Sequence, residues 1–346
     1  GGSDQGAYWL AKCDLRRNEP RGAAERLKNA ISAYPKSDLL PEMTYDRAVA
    51  LMRGGDSAGA EGVLVEFRTR FAKHALCADA LELLASIEHL SARYDQSLAH
   101  CREFVEKYPE HELIPSVAFL TAENLFLSGD VEGGGAAYAR FIKEYAGDAN
   151  VDKAKFRLGT ALFRLEKYDE ATPLLLGAVD GRATQAAFRP ALLCLGDIAF
   201  QRAQWPQAEG YLTDYLSFGP DVSGADDATL KLGLSLARQN RHDEALTQFD
   251  RIITDMRKSQ HRMQAVFERG QCLMALNRHE EAAKAFETVV AEDKDARFAP
   301  YALSHLGAIA LAAGDHAAAA KSFDRAAVAN TDPKACLLYT SPSPRD

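Results

Sequence analysis

The sequence predicts an all-α protein, a right-handed α-solenoid of nine stacked helix hairpins, on three observations. First, "GTALFRLEKYDEA" (159–171) returns at a fixed offset of 37 residues as "GDIAFQRAQWPQA" (196–208), "GLSLARQNRHDEA" (233–245), "GQCLMALNRHEEA" (270–282) and "GAIALAAGDHAAA" (307–319). Second, the same offset counted backwards from Gly159 lands on Ala122, Ala85, Ala48 and Ala11, so nine positions hold only Gly or Ala. Third, apolar residues within each unit recur at helical spacing, as in Phe156, Gly159, Leu162 and Phe163. Such a period marks a chain in which each unit buries its apolar face against its neighbours.

With the Gly/Ala column as origin, each element of the unit follows in order. Helix A opens with Pro or Asp seven residues earlier, at Asp4, Pro41, Pro115, Asp152, Asp226 and Pro300. Pro has no N–H to leave unbonded there, and Asp accepts from the free N–H groups of the first turn. Position −5 is mostly small: Gly6, Met43, Ala80, Val117, Ala154, Ala191, Ala228, Ala265 and Ala302. A tight turn follows, visible as "GGD" (54–56), "SGD" (128–130) and "AGD" (313–315).

Helix B then carries a small residue at +12: Ala23, Ala60, Ser97, Gly134, Ala171, Ala208, Ala245, Ala282 and Ala319. Four residues on, at +16, stand Leu27, Leu64, Cys101, Tyr138, Leu175, Leu212, Phe249, Phe286 and Phe323. Small residues facing each other let the two helices approach closely. The connector to the next unit holds Pro at +24 in Pro35, Pro109 and Pro220. "EGGGAAY" (132–138) places three glycines in helix B of the fourth unit. Each helical Gly costs about 1 kcal/mol against Ala, so this helix is expected to be the softest. Gly133 and Gly135 are the positions where Ala should help, while the column of Gly134 demands close approach.

The chain of 346 residues is 47% hydrophobic and 26% charged with net charge −8, a soluble composition that speaks against nucleic acid. No apolar run is long enough for a transmembrane helix. The six cysteines lack paired spacing and read as small core residues. Residues 3–333 are expected to form a single array and 334–346 a disordered tail. Within the tail, "CLLYTSPSPRD" (336–346) breaks the pattern and resembles the in-frame translation of a transposase sequencing adapter. With "GGSDQGAYWL" at its start, the chain reads as part of a protein longer at both ends.

A small residue, Ala at +12, a large apolar residue at +16 and Pro at +24 resemble the tetratricopeptide repeat. The departure is three extra residues in the connector, as in "YPKSDLLPE" (34–42). Lengthened repeats with Tyr-Pro, here Tyr34–Pro35 and Tyr108–Pro109, resemble those of bacterial envelope proteins, including outer-membrane assembly lipoproteins and the Tol-Pal accessory protein. The resemblance implies a non-catalytic scaffold that binds peptide segments or partner proteins along a concave groove lined by A helices. It also implies a setting in bacterial envelope assembly, in the periplasm or at the outer membrane, with the cytoplasm left open. An alternative reading is the regulatory or substrate-recruiting arm of a larger enzyme.

Chemistry is scarce. His242, His279 and His316 share one repeat position with Tyr94, Tyr168 and Trp205 at the turn into helix B, which suits packing. "HALC" (74–77) and "HC" (100–101) bring two His and two Cys, yet Cys101 falls in a core column. No strand precedes a glycine-rich loop, and residues of non-adjacent repeats do not meet. No catalytic residue, metal ligand set or cofactor is expected.

A surface remains. On helix A the positions −2, +1 and +5 form one stripe that varies between repeats. It holds Leu83, Leu90, Leu120 and Leu127, readable as an apolar patch or as packing between neighbouring A helices. A basic ridge of Lys153, Arg157 and Arg164 follows, extended by Lys231 and Arg238. Only the last repeat of the carboxylate clamp of tetratricopeptide co-chaperones has a counterpart here, since Glu82, Ser86 and Leu120 precede Lys153 and Arg157. The groove is therefore expected to take segments with apolar anchors flanked by Asp or Glu.

Overall fold

The structure, a computed structural model, describes residues 3–180, 186–219, 222–293 and 297–330. Among these the regular structure is entirely helical. The chain divides into two compact units, Gly1–Leu174 and Leu175–Asp346. The first contains the hairpins α1 (Asp4–Arg16) with α2 (Pro20–Ala33), α3 (Leu40–Arg53) with α4 (Ser57–Arg70), α5 (Cys77–Leu90) with α6 (Tyr94–Lys107) and α7 (Ile114–Leu127) with α8 (Val131–Glu144). It ends with α9 (Val151–Arg164) and the start of α10 (Tyr168–Val179). The second pairs α11 (Pro190–Gln201) with α12 (Trp205–Leu216) and α13 (Ala225–Arg238) with α14 (His242–Thr254). It continues with α15 (Arg262–Ala275) beside α16 (His279–Glu292) and α17 (Ala299–Ala312) beside α18 (His316–Asn330).

Within each unit every helix packs chiefly on the helices before and after it, the stacking of an α-solenoid. The sequence columns form its core. Met43, Ala80 and Val117 at −5, Ala23, Ala60 and Ser97 at +12, and Leu27, Leu64 and Tyr138 at +16 are fully buried in the first unit. Ala191, Ala228 and Ala265, Ala208 and Ala245, and Leu212, Phe249 and Phe286 repeat this in the second. Phe323, in the last described hairpin, remains 39% exposed.

Close approach of helix A to helix B is the reason for the small columns. A Cβ on Gly233 would lie 2.7 Å from Cε1 of Phe249, and one on Gly270 would lie 2.6 Å from Phe286. Where the origin is Ala122 and +16 is Tyr138, the glycine moves across the hairpin to Gly134. A Cβ there would lie 2.8 Å from the backbone N of Phe126. Either helix can supply the missing side chain.

The A–B turn is closed by one left-handed residue at +7 in all nine hairpins: Asn18, Gly55, Ala92, Gly129, Glu166, Ala203, Asn240, Asn277 and Gly314. The next N–H usually bonds back to the carbonyl five residues earlier, as Arg93 to Glu88 at 2.9 Å and Arg241 to Leu236 at 3.0 Å. This 6→1 closure terminates helix A and reverses the chain. The three glycines and the three asparagines, the residues that most readily take a positive φ, announce these turns in the sequence. Ala92, Glu166 and Ala203 hold the same φ because the hairpin demands it.

Pro35 and Pro109 follow directly on α2 and α6, whose ends are capped at Tyr34 and Tyr108. Pro220 and the expected tail lie outside the described residues. The glycine run needs one correction. Gly133 is not a free place for Ala, because Asp130 caps α8 by accepting from Gly133 N at 2.8 Å. A Cβ on Gly133 would fall into that carboxylate. Gly135 has room, its nearest neighbour being Ala161 Cβ at 3.5 Å. Gly135→Ala should therefore stabilise the first unit by about 1 kcal/mol. Gly134→Ala should destabilise it by about 2 kcal/mol through overpacking against backbone. Urea unfolding of the two variants checks the opposite signs.

Candidate interaction surface

The 37-residue period fixes how neighbouring A helices meet. Position +1 of one repeat lies against −2 of the next, a separation of 34 residues. In the first unit Lys12 Nζ donates to Asp46 Oδ2 at 2.8 Å across this seam, and Arg157 Nε donates to Glu123 Oε1 at 2.9 Å. In the second, Lys231 Nζ donates to Asp197 Oδ1 at 2.7 Å. Val49 and Leu83 meet the same way within one apolar cluster. The variation along −2 and +1 is thus pairwise. A residue there is matched to its neighbour in the adjoining repeat.

This placement sorts the residues singled out by sequence. Leu83 is buried, and Leu120 is half-buried against the core of its neighbours, so both belong to the seam and not to an open patch. Leu90 is 74% exposed and Leu127 41% exposed. Arg157 is held by Glu123, a carboxylate only 4% exposed that also accepts from the Tyr138 hydroxyl at 2.6 Å. Lys153 lies 3.5 Å from the same carboxylate and 4.7 Å from the centre of the Phe119 ring. Lys231 is held between Asp197 and Asp227, each at 2.7 Å. Only Arg164 and Arg238 of the ridge stand on the exposed +5 position.

Sequence reasoning misses Glu123, although opposite charges 34 residues apart would reveal it. Burial pushes its carboxyl up, but the Tyr138 hydroxyl, Arg157 and Lys153 outweigh burial and hold it below its ordinary value. Three helices, α7, α8 and α9, are joined at this one carboxylate.

Position +5 is the part of the stripe the seam leaves open. In the first unit it reads Arg16, Arg53, Leu90, Leu127 and Arg164, all exposed. The Arg164 guanidinium lies over the Phe126 ring at 4.6 Å, beside Leu127. The second unit carries Gln201, Arg238, Ala275 and Ala312 there, also exposed. The column therefore offers two apolar anchors between cations in one unit and little of either in the other.

Two of the buried thiols are held in the un-ionised form. Burial pushes Cys101 up to about 11 and Cys272 up to about 12, far from the thiolate at neutral pH. His242 and His279 are the first residues of α14 and α16. Among the described residues no group of three or more His, Cys, Asp or Glu side chains is placed to hold a metal ion, and no helix is long and apolar enough to cross a membrane.

One seam position is mismatched. Glu268 at −2 of α15 faces Leu234 at +1 of α13 by the common register, and no hydrogen bond or ion pair reaches it among the described residues. Burial pushes its carboxyl up to about 7, against the pull of Arg238. In the unfolded chain the proton is lost near 4.5, so between these values the folded state holds more protons. Stability of the second unit should therefore fall as pH rises from about 4.5 to 7.

Three substitutions test this account of the seam. Glu268→Gln should be more stable than the parent by about 2 kcal/mol at pH 8, with the gain shrinking at pH 5, in urea melts at both pH values. Arg157→Ala, which leaves Glu123 buried with fewer partners, should cost about 3 kcal/mol. Arg164→Ala on the open column should stay within about 0.5 kcal/mol of the parent.

A family profile described as tetratricopeptide repeat matches residues 10–66, 45–112, 193–261, 230–297 and 267–334. No curated protein sequence matches the chain. Among solved structures, the C-terminal part of a TPR repeat-containing protein from Cytophaga hutchinsonii aligns with 12% identity and a TM-score of 0.54, over 73% of this chain and 96% of that one. A tetratricopeptide repeat protein from Parabacteroides merdae aligns with 15% identity and a TM-score of 0.48, over 72% and 91%. YrrB, described as a TPR protein with an unusual peptide-binding site, aligns with 19% identity and a TM-score of 0.46, over 59% and 97%. At these identities the likeness concerns the fold alone.

Proposed function

The chain belongs to the tetratricopeptide repeat family, and from that premise we propose that it is a non-catalytic scaffold for protein–protein interaction. Its N-terminal unit takes an extended partner segment along the groove its A helices line. The observation that carries this reading is the exposed column Arg16, Arg53, Leu90, Leu127 and Arg164. Two leucines on neighbouring A helices stand about 10 Å apart, the usual spacing of packed helices, and match anchors three residues apart on an extended segment of polyproline II form, which turns once every three residues and so sets both anchors on one side. The arginines on either side select Asp or Glu flanking those anchors. Anchors in water-excluded contacts supply most of the affinity, and the charges supply specificity and association rate.

The lengthened connectors with Tyr34–Pro35 and Tyr108–Pro109 favour a place in bacterial envelope assembly within this reading. The seam also decides which substitutions report on binding. Arg157 supports the fold through Glu123, and Lys153 leans on the same carboxylate, so neither isolates a binding effect. Arg53, Leu90 and Arg164 do.

Labelled extended peptides with two leucines three residues apart, flanked by either Asp or Lys, provide the probe. The acidic peptides should bind and the basic ones should not, by fluorescence anisotropy. Arg53→Glu with Arg164→Glu should weaken binding about tenfold by slowing association. Leu90→Asp should weaken it at least as much by speeding dissociation. Equal affinity of both peptide classes, or of all variants, would place the interaction elsewhere.

A further inference from the structure

Outside the +5 column, the first unit holds a second cluster of cations. A cleft of about 560 Å³ opens between α2, α3 and the turn that follows α3. Arg21 and Lys28 enter it from α2 and Arg47 from α3, over a floor that includes Ala24, Ala50 and Leu51. At the rim the stem of Arg21 passes close to Gly54, its Cγ 3.4 Å from where a Cβ would stand.

Two carboxylates, Glu25 and Asp56, also line the cleft, and both are already engaged. Asp56 caps α4 by accepting from Gly59 N at 2.8 Å, and Glu25 pairs with Lys28 at 3.6 Å. Neither Arg21 nor Arg47 forms an ion pair among the described residues. The Nε of Arg47 is buried with no hydrogen-bond partner. A buried guanidinium N–H without an acceptor is costly, and chains satisfy such donors where they can. Several arginines elsewhere do find acids, as Arg93 finds Glu61 at 2.6 and 2.9 Å and Arg26 finds Asp14 at 2.7 Å, whereas the Nε of Arg189 is buried and unpartnered like that of Arg47. With Lys28 offset in part by Glu25, the two guanidinium groups still leave the cleft net positive, which favours an anion there. Planar donor forks suit phosphoryl oxygens in particular.

We propose that this cleft binds a small organic phosphate, with its phosphoryl group held by Arg21, Arg47 and Lys28. Its carbon body rests on Ala24 and Leu51. The volume fits a ligand of that size. The site is separate from the peptide-binding column, and neither reading depends on the other.

Phenyl phosphate, inorganic phosphate and benzoate are the probes, with the amide resonances of Gly54 and Gly55 at the rim as the readout in the full chain. Phenyl phosphate should shift both resonances saturably and bind about tenfold tighter than inorganic phosphate. Benzoate, a monoanion, should bind weakest. Affinity for phenyl phosphate should drop as pH falls below about 6, where the phosphoryl group loses its second charge. Arg47→Gln and Arg21→Gln should each weaken binding about tenfold. Arg21 is exposed, so its variant keeps the test valid even if the Arg47 variant disturbs packing. No saturable shift with phenyl phosphate at about 10 mM, a concentration that reveals binding of about 3 kcal/mol, would overturn the proposal. An affinity unchanged in Arg21→Gln would do the same.

Discussion

Everything in this chain depends on how near helix A comes to helix B. At that distance only small residues fit where they cross, and in several hairpins one of the two helices has a glycine there. The glycine stands on helix A against Phe249 and Phe286, and on helix B where the backbone of Phe126 presses on Gly134. The hairpin so formed is too tight for an ordinary loop. It is closed by a single left-handed residue and a 6→1 backbone bond, whatever side chain occupies the position. Glu166 and Ala203 accept a backbone state that costs them about 1 kcal/mol or more, because the crossing fixes both helix ends.

A rigid hairpin of constant length has a second effect. Within each unit it delivers the same two helix positions to the neighbour, so +1 and −2 meet 34 residues apart. Core packing is satisfied by alanine and glycine in every copy and carries little identity. The seam carries it instead. Lys12 with Asp46, Glu123 with Arg157 and Asp197 with Lys231 are complementary only with the repeats in their present order. A slip by one repeat would set Glu123 against a residue not matched to it, leaving a buried charge uncompensated. Similar hairpins in one chain are prone to mispairing, and unlike seams are a physical means of preventing it.

Much of this was legible because the fold is periodic. The nine hairpins, the core columns and the helix B position of His242 and His279 follow from one offset and the 3.6-residue pattern. The turns at Ala92 and Ala203 were not, since nothing in alanine announces a positive φ that only the tertiary crossing imposes. The site was half legible. The stripe at −2, +1 and +5 reads as one face because helical geometry places it on one. Contact with the next helix divides it, burying Leu83 and tying Arg157 to Glu123 while leaving Leu90 and Arg164 in water. Helix periodicity describes a single helix. The division comes from the helix beside it, 34 residues away in the chain.

What the seam leaves free is also what a partner can use. The +5 column changes from Arg to Leu to Gln while the core columns stay small or apolar, so most binding residues stand apart from the folding residues, Arg164 over the Phe126 ring being an exception. Net charge −8 makes the chain as a whole repel acidic segments at a distance. The arginines at Arg16, Arg53 and Arg164 can oppose this only within a Debye length, about 8 Å at physiological salt. A generic acidic surface therefore gains little. A segment whose acids arrive already held close by two seated leucines gains most, because the apolar contacts bring opposite charges inside the screening distance. On this account the adjacency of leucine and arginine, more than the number of either, sets what the N-terminal unit selects.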